Sequence, residues 1–110
     1  MAKFVIFFSY TPGAWSALVA NPSDRVAAAR AAVEPVGGSL ESLYFMFGNR
    51  DGLAIFQAPD AEAAAAVAIA VAGSGSFTSV ETHELIEPER LAAVLSKAGE
   101  VTGIYPSPGT

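Results

Sequence analysis

Cysteine is absent from the 110 residues, and basic and histidine side chains are few. Without cysteine the chain has no disulfides, no thiolate nucleophile and no cysteine-based metal site. Six lysines and arginines against eleven aspartates and glutamates give a net charge of −5, which argues against nucleic acids and anionic membrane surfaces as partners. The one histidine, His83, stands among scattered carboxylates without metal-ligand spacing, so we expect neither a metal nor a cofactor.

The chain also lacks a long hydrophobic run. Its first apolar stretch, Phe4–Phe8, is too short for a signal sequence or a membrane span. The second, Ala61–Ala72, is mostly alanine, is interrupted by Glu62 and is also too short to span. We therefore expect a cytoplasmic protein with no membrane partner.

Apolar residues are what the chain has in excess. They make up 52% of the sequence, while charged residues make up 15%, against about 25% in an ordinary domain. A chain of 110 residues forms one domain, and a single small core cannot bury this much apolar surface. The surplus predicts an oligomer interface or a ligand cavity.

Four stretches rich in β-branched and aromatic residues predict strands. The first carries Phe4, Ile6 and Phe8 on one face and Val5 and Phe7 on the other, so both of its faces must be covered. Turn-forming residues between the second and third stretches predict a tight hairpin. The stretches are Lys3–Tyr10, Leu40–Phe47, Leu53–Ala58 and Phe77–Ile86.

Helical patterns fill most of the chain between and after the strands. Asn21–Asp24 interrupts the first helical region and restarts it, because proline fits a first helical turn and Asp or Ser caps it. The third helix is dense in alanine, which would let its backbone approach the sheet closely. The predicted helices are Ala14–Ala20, Pro22–Val36, Asp60–Ala72 and an amphipathic Pro88–Ala98.

The order of these elements, β-α-β-β-α-β with a short C-terminal helix, is typical of the ferredoxin-like α+β fold. Right-handed crossovers place the long helices on one face of a four-stranded antiparallel sheet. We assign residues 1–98 to this domain and residues 99–110, which lack periodicity, to an extended C-terminal tail.

The face of the sheet away from the helices is also predicted to be apolar. Several large side chains exposed together exceed what a monomer usually tolerates, so we expect this face to pair with a second copy. The chain would then be a homo-oligomer, most simply a two-fold dimer. The side chains assigned to this face are Val5, Phe7, Leu40, Tyr44, Met46 and Leu53.

Several short motifs follow one another along the chain. They are Tyr10-Thr11, Asn21-Pro22-Ser23-Asp24-Arg25, Gly37-Gly38-Ser39-Leu40, Gly48-Asn49-Arg50-Asp51, Ala58-Pro59-Asp60 and Glu81-Thr82. On these residues, from about Phe4 to Leu95, the sequence resembles the GYD domain family, small ferredoxin-like proteins of the dimeric α/β-barrel type. The resemblance implies the fold and the assembly and brings no catalytic residue with it. Arg50 occupies the position of the family's tyrosine.

His83 and Glu81 are the candidate catalytic residues, because a histidine and a carboxylate on one strand face can transfer protons near neutral pH. The alternative is a solvated edge of the sheet or an inter-subunit hydrogen bond. Aromatic side chains would form a pocket on the free sheet face. The candidate ligand-binding residues are Tyr10, Trp15, Tyr44, Met46 and His83.

Two further charged residues require an explanation. Asp51 is either a functional carboxylate or a cap for the hairpin turn, since aspartate readily accepts hydrogen bonds from turn amides. Arg25 lies near the start of a helix, where the helix dipole disfavours a positive charge. It therefore needs an acidic partner, which is Asp24, Asp51, a neighbouring protomer or a bound anionic ligand.

These observations favour a homo-oligomeric protein that binds a small apolar or aromatic molecule on the sheet face, or that acts as an interaction module. The alternative is a cofactor-independent isomerase or monooxygenase of the dimeric α/β-barrel kind that uses His83 and Glu81. The two differ in one geometric requirement. An enzyme needs a closed cavity of about 300 Å³ or more that His83 reaches.

Overall fold

Four strands and four α-helices make up the structure, a computed structural model that describes residues 1–110. The elements in chain order are β1 (Ala2–Tyr10), α1 (Pro12–Ala20), α2 (Arg25–Val33), β2 (Ser39–Phe45), β3 (Gly52–Ala58), α3 (Ala61–Ala72), β4 (Phe77–Leu85) and α4 (Leu91–Thr102). Single 3-10 turns at Glu34–Val36 and Pro88–Arg90 follow α2 and precede α4.

The first three helices begin at side-chain caps. The side-chain oxygens of Thr11, Asp24 and Asp60 each accept a hydrogen bond from the backbone N–H three residues later, at distances of 2.9 to 3.1 Å. These bonds satisfy amides that the helix itself leaves unpaired. Because Asp24 is the cap of α2, Pro22 lies before the helix and not in its first turn, which corrects the predicted start.

The strands form one antiparallel sheet in the order β2-β3-β1-β4. In the two central pairings Val5 lies opposite Ile55 on one side and opposite His83 on the other. This arrangement confirms the α+β class and the four-stranded antiparallel sheet. The strand order is the one that a β-α-β-β-α-β chain adopts when each crossover returns over the same face.

The helices cover one face of the sheet, which we call the helix-covered face. Phe4, Ile6, Ala54 and Phe56 point to it and pack with Val33, Ala64 and Val67 in the core. The alternate side chains point to the opposite face, which we call the open face. Only 12 of the 110 residues are buried, so the core of this chain is small.

Two β-bulges change the side to which some residues point. An extra residue at Glu41 puts both Leu40 and Leu43 on the helix-covered face, so the prediction that Leu40 faces the other way is wrong. The shift in pairing after Ser9 sets Tyr10 opposite Phe77. Phe77 therefore packs against Phe8 and Tyr10, although strict alternation along β4 would place it on the open face.

The open face is less apolar than the sequence predicts. Val5 is buried by its neighbours within the chain, and Phe7 is half-buried beneath the guanidinium of Arg50. Leu53 is also half-buried. Of the large apolar side chains predicted there, Tyr44 is the one that is mainly exposed. The surplus of apolar surface therefore lies mostly elsewhere on the molecule.

Much of that surplus lies on α4, which has no buried residue. Its helix extends to Thr102, four residues beyond the predicted end at Ala98. Of the predicted tail 99–110, Gly103–Thr110 is the part without helix or strand. The helix packs on the turn before it and extends away from the sheet. The radius of gyration is accordingly 17.6 Å, whereas a compact chain of this length would have about 13 Å.

Candidate functional site

An apolar cavity of about 280 Å³ lies between the helix-covered face and helices α2 and α3. Fifteen of its seventeen lining residues are hydrophobic. Aromatic rings line it from the sheet, while the facing helix positions are largely alanine. The rings are those of Phe8, Tyr10, Phe56 and Phe77, and the alanines are Ala28, Ala29, Ala32 and Ala70. Small side chains opposite large rings leave room for a molecule.

The alanine-rich helix was expected to lie close against the sheet. Ala58 of β3 and Ala64 of α3 are almost fully buried within the core, as close helix–sheet packing requires. The alanines that line the cavity instead leave the space between helix and sheet unfilled. Close packing of the alanine-rich helix is therefore correct for part of the helix–sheet interface. The cavity is not among the features that the sequence predicts.

A second cavity of about 290 Å³ is more polar. Most of its lining residues come from α1, from the connection to α2 and from the residue before β4. They include Asn21, Ser23 and Ser76. Tyr10 and Arg25 line both cavities and therefore stand at the boundary between them.

Arg25 is the only charged residue that lines either cavity. Its Nη1 donates a hydrogen bond of 3.2 Å to the Ser23 hydroxyl. Its Nε is buried and has no hydrogen-bond partner. The two carboxylates predicted to pair with it are used elsewhere, since Asp24 caps α2 and Asp51 binds other groups.

The Asp51 carboxylate joins the end of β1 to α1. It accepts a hydrogen bond of 2.8 Å from the backbone N–H of Tyr10 and one of 3.1 Å from the indole Nε1–H of Trp15. It does not cap its own hairpin turn, so that prediction is wrong. Its position fixes the Trp15 ring beside Tyr10, with 5.0 Å between the ring centroids.

The predicted ligand-binding residues do not form one pocket. Tyr10 lies on the helix-covered side, stacked 4.9 Å from Phe77, and Trp15 lies beside it. Tyr44 pairs with Leu53 and lies on the open face with His83, while Met46 follows the end of β2. The predicted aromatic pocket on the free face is therefore wrong, since strand alternation directs Tyr10 away from that face.

His83 and Glu81 do meet, on the open face. The Glu81 carboxylate contacts the Nε2 atom of His83 at 2.5 Å and the Nη2 atom of Arg50 at 2.7 Å. The hydrogen bond with His83, followed by the positive charge of Arg50, holds the pKa of Glu81 below its ordinary value. The guanidinium of Arg50 also lies 4.9 Å from the ring centroid of Phe7.

This cluster lacks the enclosure that an enzyme site requires. The His83 side chain is 53% exposed, and His83 lines neither the apolar nor the polar cavity. A similar exposed group lies on the same face, where Glu41 accepts hydrogen bonds from Gln57 and Lys3 that lower its pKa. In the single chain the pair therefore lies on an exposed part of the open face, outside both cavities.

Comparison with known protein families places the chain. A family model described as the GYD domain matches residues 4–95. The chain belongs to the GYD domain family. The resemblance seen in the sequence motifs is thus confirmed, over the range on which those motifs lie. A search of curated proteins finds no match.

Solved structures add little to this assignment of a GYD domain. One of them, titled "crystal structure of FFRP-DM1", is 13% identical in sequence with a TM-score of 0.49, and the match covers 78% of this chain and 100% of that chain. The GYD domain described here contains no helix with both the length and the hydrophobicity to cross a membrane. It also has no group of three or more potential metal-ligating side chains.

Proposed function

We propose that the protein binds a small, mostly apolar molecule in the apolar cavity between the sheet and α2 and α3. The cavity itself supports this proposal, since its volume of about 280 Å³ is close to the lower end of the roughly 300–1,000 Å³ found for ligand sites. The lining of aromatic and aliphatic side chains suits a bicyclic aromatic molecule or a short aliphatic chain. The location differs from the predicted one, because the cavity lies on the opposite side of the sheet.

Packing energetics favour an occupant. Protein interiors are normally filled to the density of organic crystals, and side chains that border unfilled space lose dispersion contacts. Only 12 residues of this chain are buried, so its core makes few dispersion contacts and can lose few of them. A bound apolar molecule would restore them and would also remove its own apolar surface from water.

The neutral fluorescent probe N-phenyl-1-naphthylamine tests this proposal. Ala29 lines the cavity and Ala31 is exposed on the same helix. We expect the wild type and Ala31→Leu to bind the probe equally, and Ala29→Leu to bind it at least tenfold more weakly because leucine fills the space. Circular dichroism checks that both variants are folded. Equal binding by Ala29→Leu, or no binding by the wild type, would refute the proposal.

We also infer that the protein is a homodimer in which α4 packs against a second copy. The chain exposes 7176 Å² of surface, whereas a compact monomer of 11.3 kDa exposes about 5,700 Å². The excess of about 1,400 Å² is larger than the roughly 800 Å² that each partner buries in a standard interface. A cytoplasmic location is part of the same proposal, and the absence of cysteine suits it.

The apolar stripe of α4 supplies the contact surface. Leu91, Val94, Leu95 and Val101 follow helical spacing and are 38–60% exposed. The element of their own chain that α4 mainly packs against is the preceding turn. A two-fold contact buries the same patch on both copies, so one such stripe can pair with itself.

Light scattering at micromolar concentration tests the assembly. We expect the wild type to have twice the chain mass of 11.3 kDa and Leu95→Glu to have the single mass, because a buried carboxylate would oppose the contact. Ser96→Glu introduces the same charge outside the stripe and should remain dimeric. A monomeric wild type, or a dimeric Leu95→Glu, would show that α4 does not make the interface.

A further inference from the structure

We propose that Arg25 makes the apolar cavity selective for small apolar or aromatic carboxylates. This inference rests on the proposed function, since it names the chemical class of the molecule that the cavity binds. Its basis is a buried guanidinium nitrogen without a hydrogen-bond partner, on a residue at the boundary between an apolar cavity and a polar one.

The hydrogen bonding of Arg25 leaves its Nε atom without a partner. Nη1 is the atom that donates to the neutral hydroxyl of Ser23, while Nε is buried without a partner. Arginine stays charged under all ordinary conditions, so this charge is not removed by loss of a proton. A buried donor that has lost water and gained no acceptor costs free energy. A ligand acceptor at this atom would remove that cost.

Stability of the chain alone does not explain the position of Arg25. It is the first residue of α2, where the helix dipole disfavours a positive side chain. Four basic side chains, Lys3, Arg50, His83 and Arg90, each have a carboxylate within 4.0 Å. Arg30 and Lys97 have none, but both are exposed to water. Arg25 is therefore the one basic residue that is not exposed and that has no carboxylate within 4.0 Å.

The two cavities match the two ends of an amphiphilic molecule. An apolar body fits the apolar cavity, whose lining offers almost no polar groups. Its polar end would then lie at the boundary that Tyr10 and Arg25 share, with the polar cavity beyond it to hold water. The long axis of such a ligand runs from the rings of the sheet toward the start of α2.

A carboxylate fits this site better than a more highly charged anion. Its two oxygens match two parallel N–H groups of one guanidinium, which is a strong and directional pairing. A phosphate group carries more charge and normally recruits several cations or helix amides. Arg25 is the single charge that lines either cavity, so one negative charge is what the site can neutralise.

Two matched pairs of ligands test the proposal, namely 2-naphthoate with 2-naphthamide and octanoate with octanamide. Each acid and its amide have nearly the same shape and differ in charge. We expect at least one acid to bind the wild type ten times or more tightly than its amide by calorimetry. Arg25→Gln should remove this preference while it still binds the amide. Arg30→Gln, an exposed arginine on the same helix, should behave like the wild type.

The outcomes separate this inference from the proposed function. If the amides and the neutral naphthylamine probe bind but the acids bind no more tightly, the carboxylate proposal fails and the binding cavity remains. If Arg25→Gln keeps the preference for acids, Arg25 is not its source and the proposal also fails. If neither the acids, the amides nor the probe bind, both proposals are refuted together.

Discussion

The two faces of this sheet differ in how their charged side chains are paired. On the open face the charged side chains are paired, with Lys3 beside Glu41 and Arg50 beside Glu81 and His83. On the helix-covered face the one charged residue at the cavity, Arg25, has a buried Nε without a partner. The difference separates charges that are paired within the single chain from one that has no carboxylate partner.

This contrast changes which charged residues matter for function. Sequence reasoning singles out His83 and Glu81 because histidine and carboxylate are the usual proton-transfer groups. In the structure the two side chains are partly exposed, and Glu81 is paired with both His83 and Arg50. A cation without a carboxylate partner beside an apolar cavity is the rarer feature, and it is the one that favours the proposed ligand.

The largest expected effect compares two phenylalanines of β1 on opposite faces. Phe4 is 3% exposed in the core, and Phe7 is half-buried on the open face. We expect Phe4→Ala to lower the free energy of unfolding by about 3–5 kcal/mol. Phe7→Ala should cost about 2 kcal/mol or less, because it loses a partly buried ring and a cation–π contact.

Urea unfolding at a fixed protein concentration measures both losses, and Phe4→Leu provides a milder variant if Phe4→Ala does not fold. Equal losses for the two alanine variants would mean that the open face is as deeply buried in solution as the core. That result would overturn the distinction between the two faces.

A smaller effect compares two arginines in the unliganded protein. We expect Arg25→Met to leave the free energy of unfolding within about 0.5 kcal/mol of the wild type or to raise it, because methionine removes an unpaired buried donor. Arg50→Met should lower it, because Glu81 loses its ion pair and Phe7 loses the guanidinium above its ring. Urea titrations without ligand measure both. A greater loss for Arg25→Met would show that its guanidinium is already satisfied.

The smallest effect is a pH dependence on the open face. The folded pKa of Glu81 is lowered by His83 and Arg50, so its contribution to stability is present above the unfolded carboxyl value of about 4.3 and is lost as the pH falls through the folded pKa. We therefore expect Glu81→Gln to be less stable than the wild type at neutral pH, with the difference shrinking in acid.

Thermal midpoints from about pH 7 to about pH 3 follow this change across the window in which carboxyls titrate. Glu84→Gln is the control, since its carboxylate lies on the same strand but 3.9 Å from Arg90. A difference between Glu81→Gln and the wild type that is constant over this range would exclude the lowered pKa.

Most of the fold is predictable from the sequence because the local signals agree with one another. The cap at Asp60 and the alternation along β1 each specify one structure. The two bulges are not predictable in this way, since a single extra residue reverses the faces of Leu40 and Phe77 without changing composition. The extra turn of α4 was missed because Gly99 is a weak helix former inside an otherwise helical pattern.

The candidate site is predictable only in part. The unfavourable place of Arg25 at a helix start is visible in the sequence, and a bound anion is among the partners expected for it. The cavity is not visible, because an alanine-rich helix can either approach a sheet or leave a gap. The side to which Tyr10 points was available from the alternation of Phe4, Ile6 and Phe8, and it contradicts the predicted pocket.

The hydrogen bond between Trp15 and Asp51 gives the molecule a built-in optical reporter. Trp15 is the single tryptophan of the chain, and its indole is held against Tyr10, which borders both cavities. Any occupant that displaces the Tyr10 ring alters the surroundings of the indole. The tryptophan fluorescence of the unlabelled protein therefore changes when the space behind Tyr10 is filled.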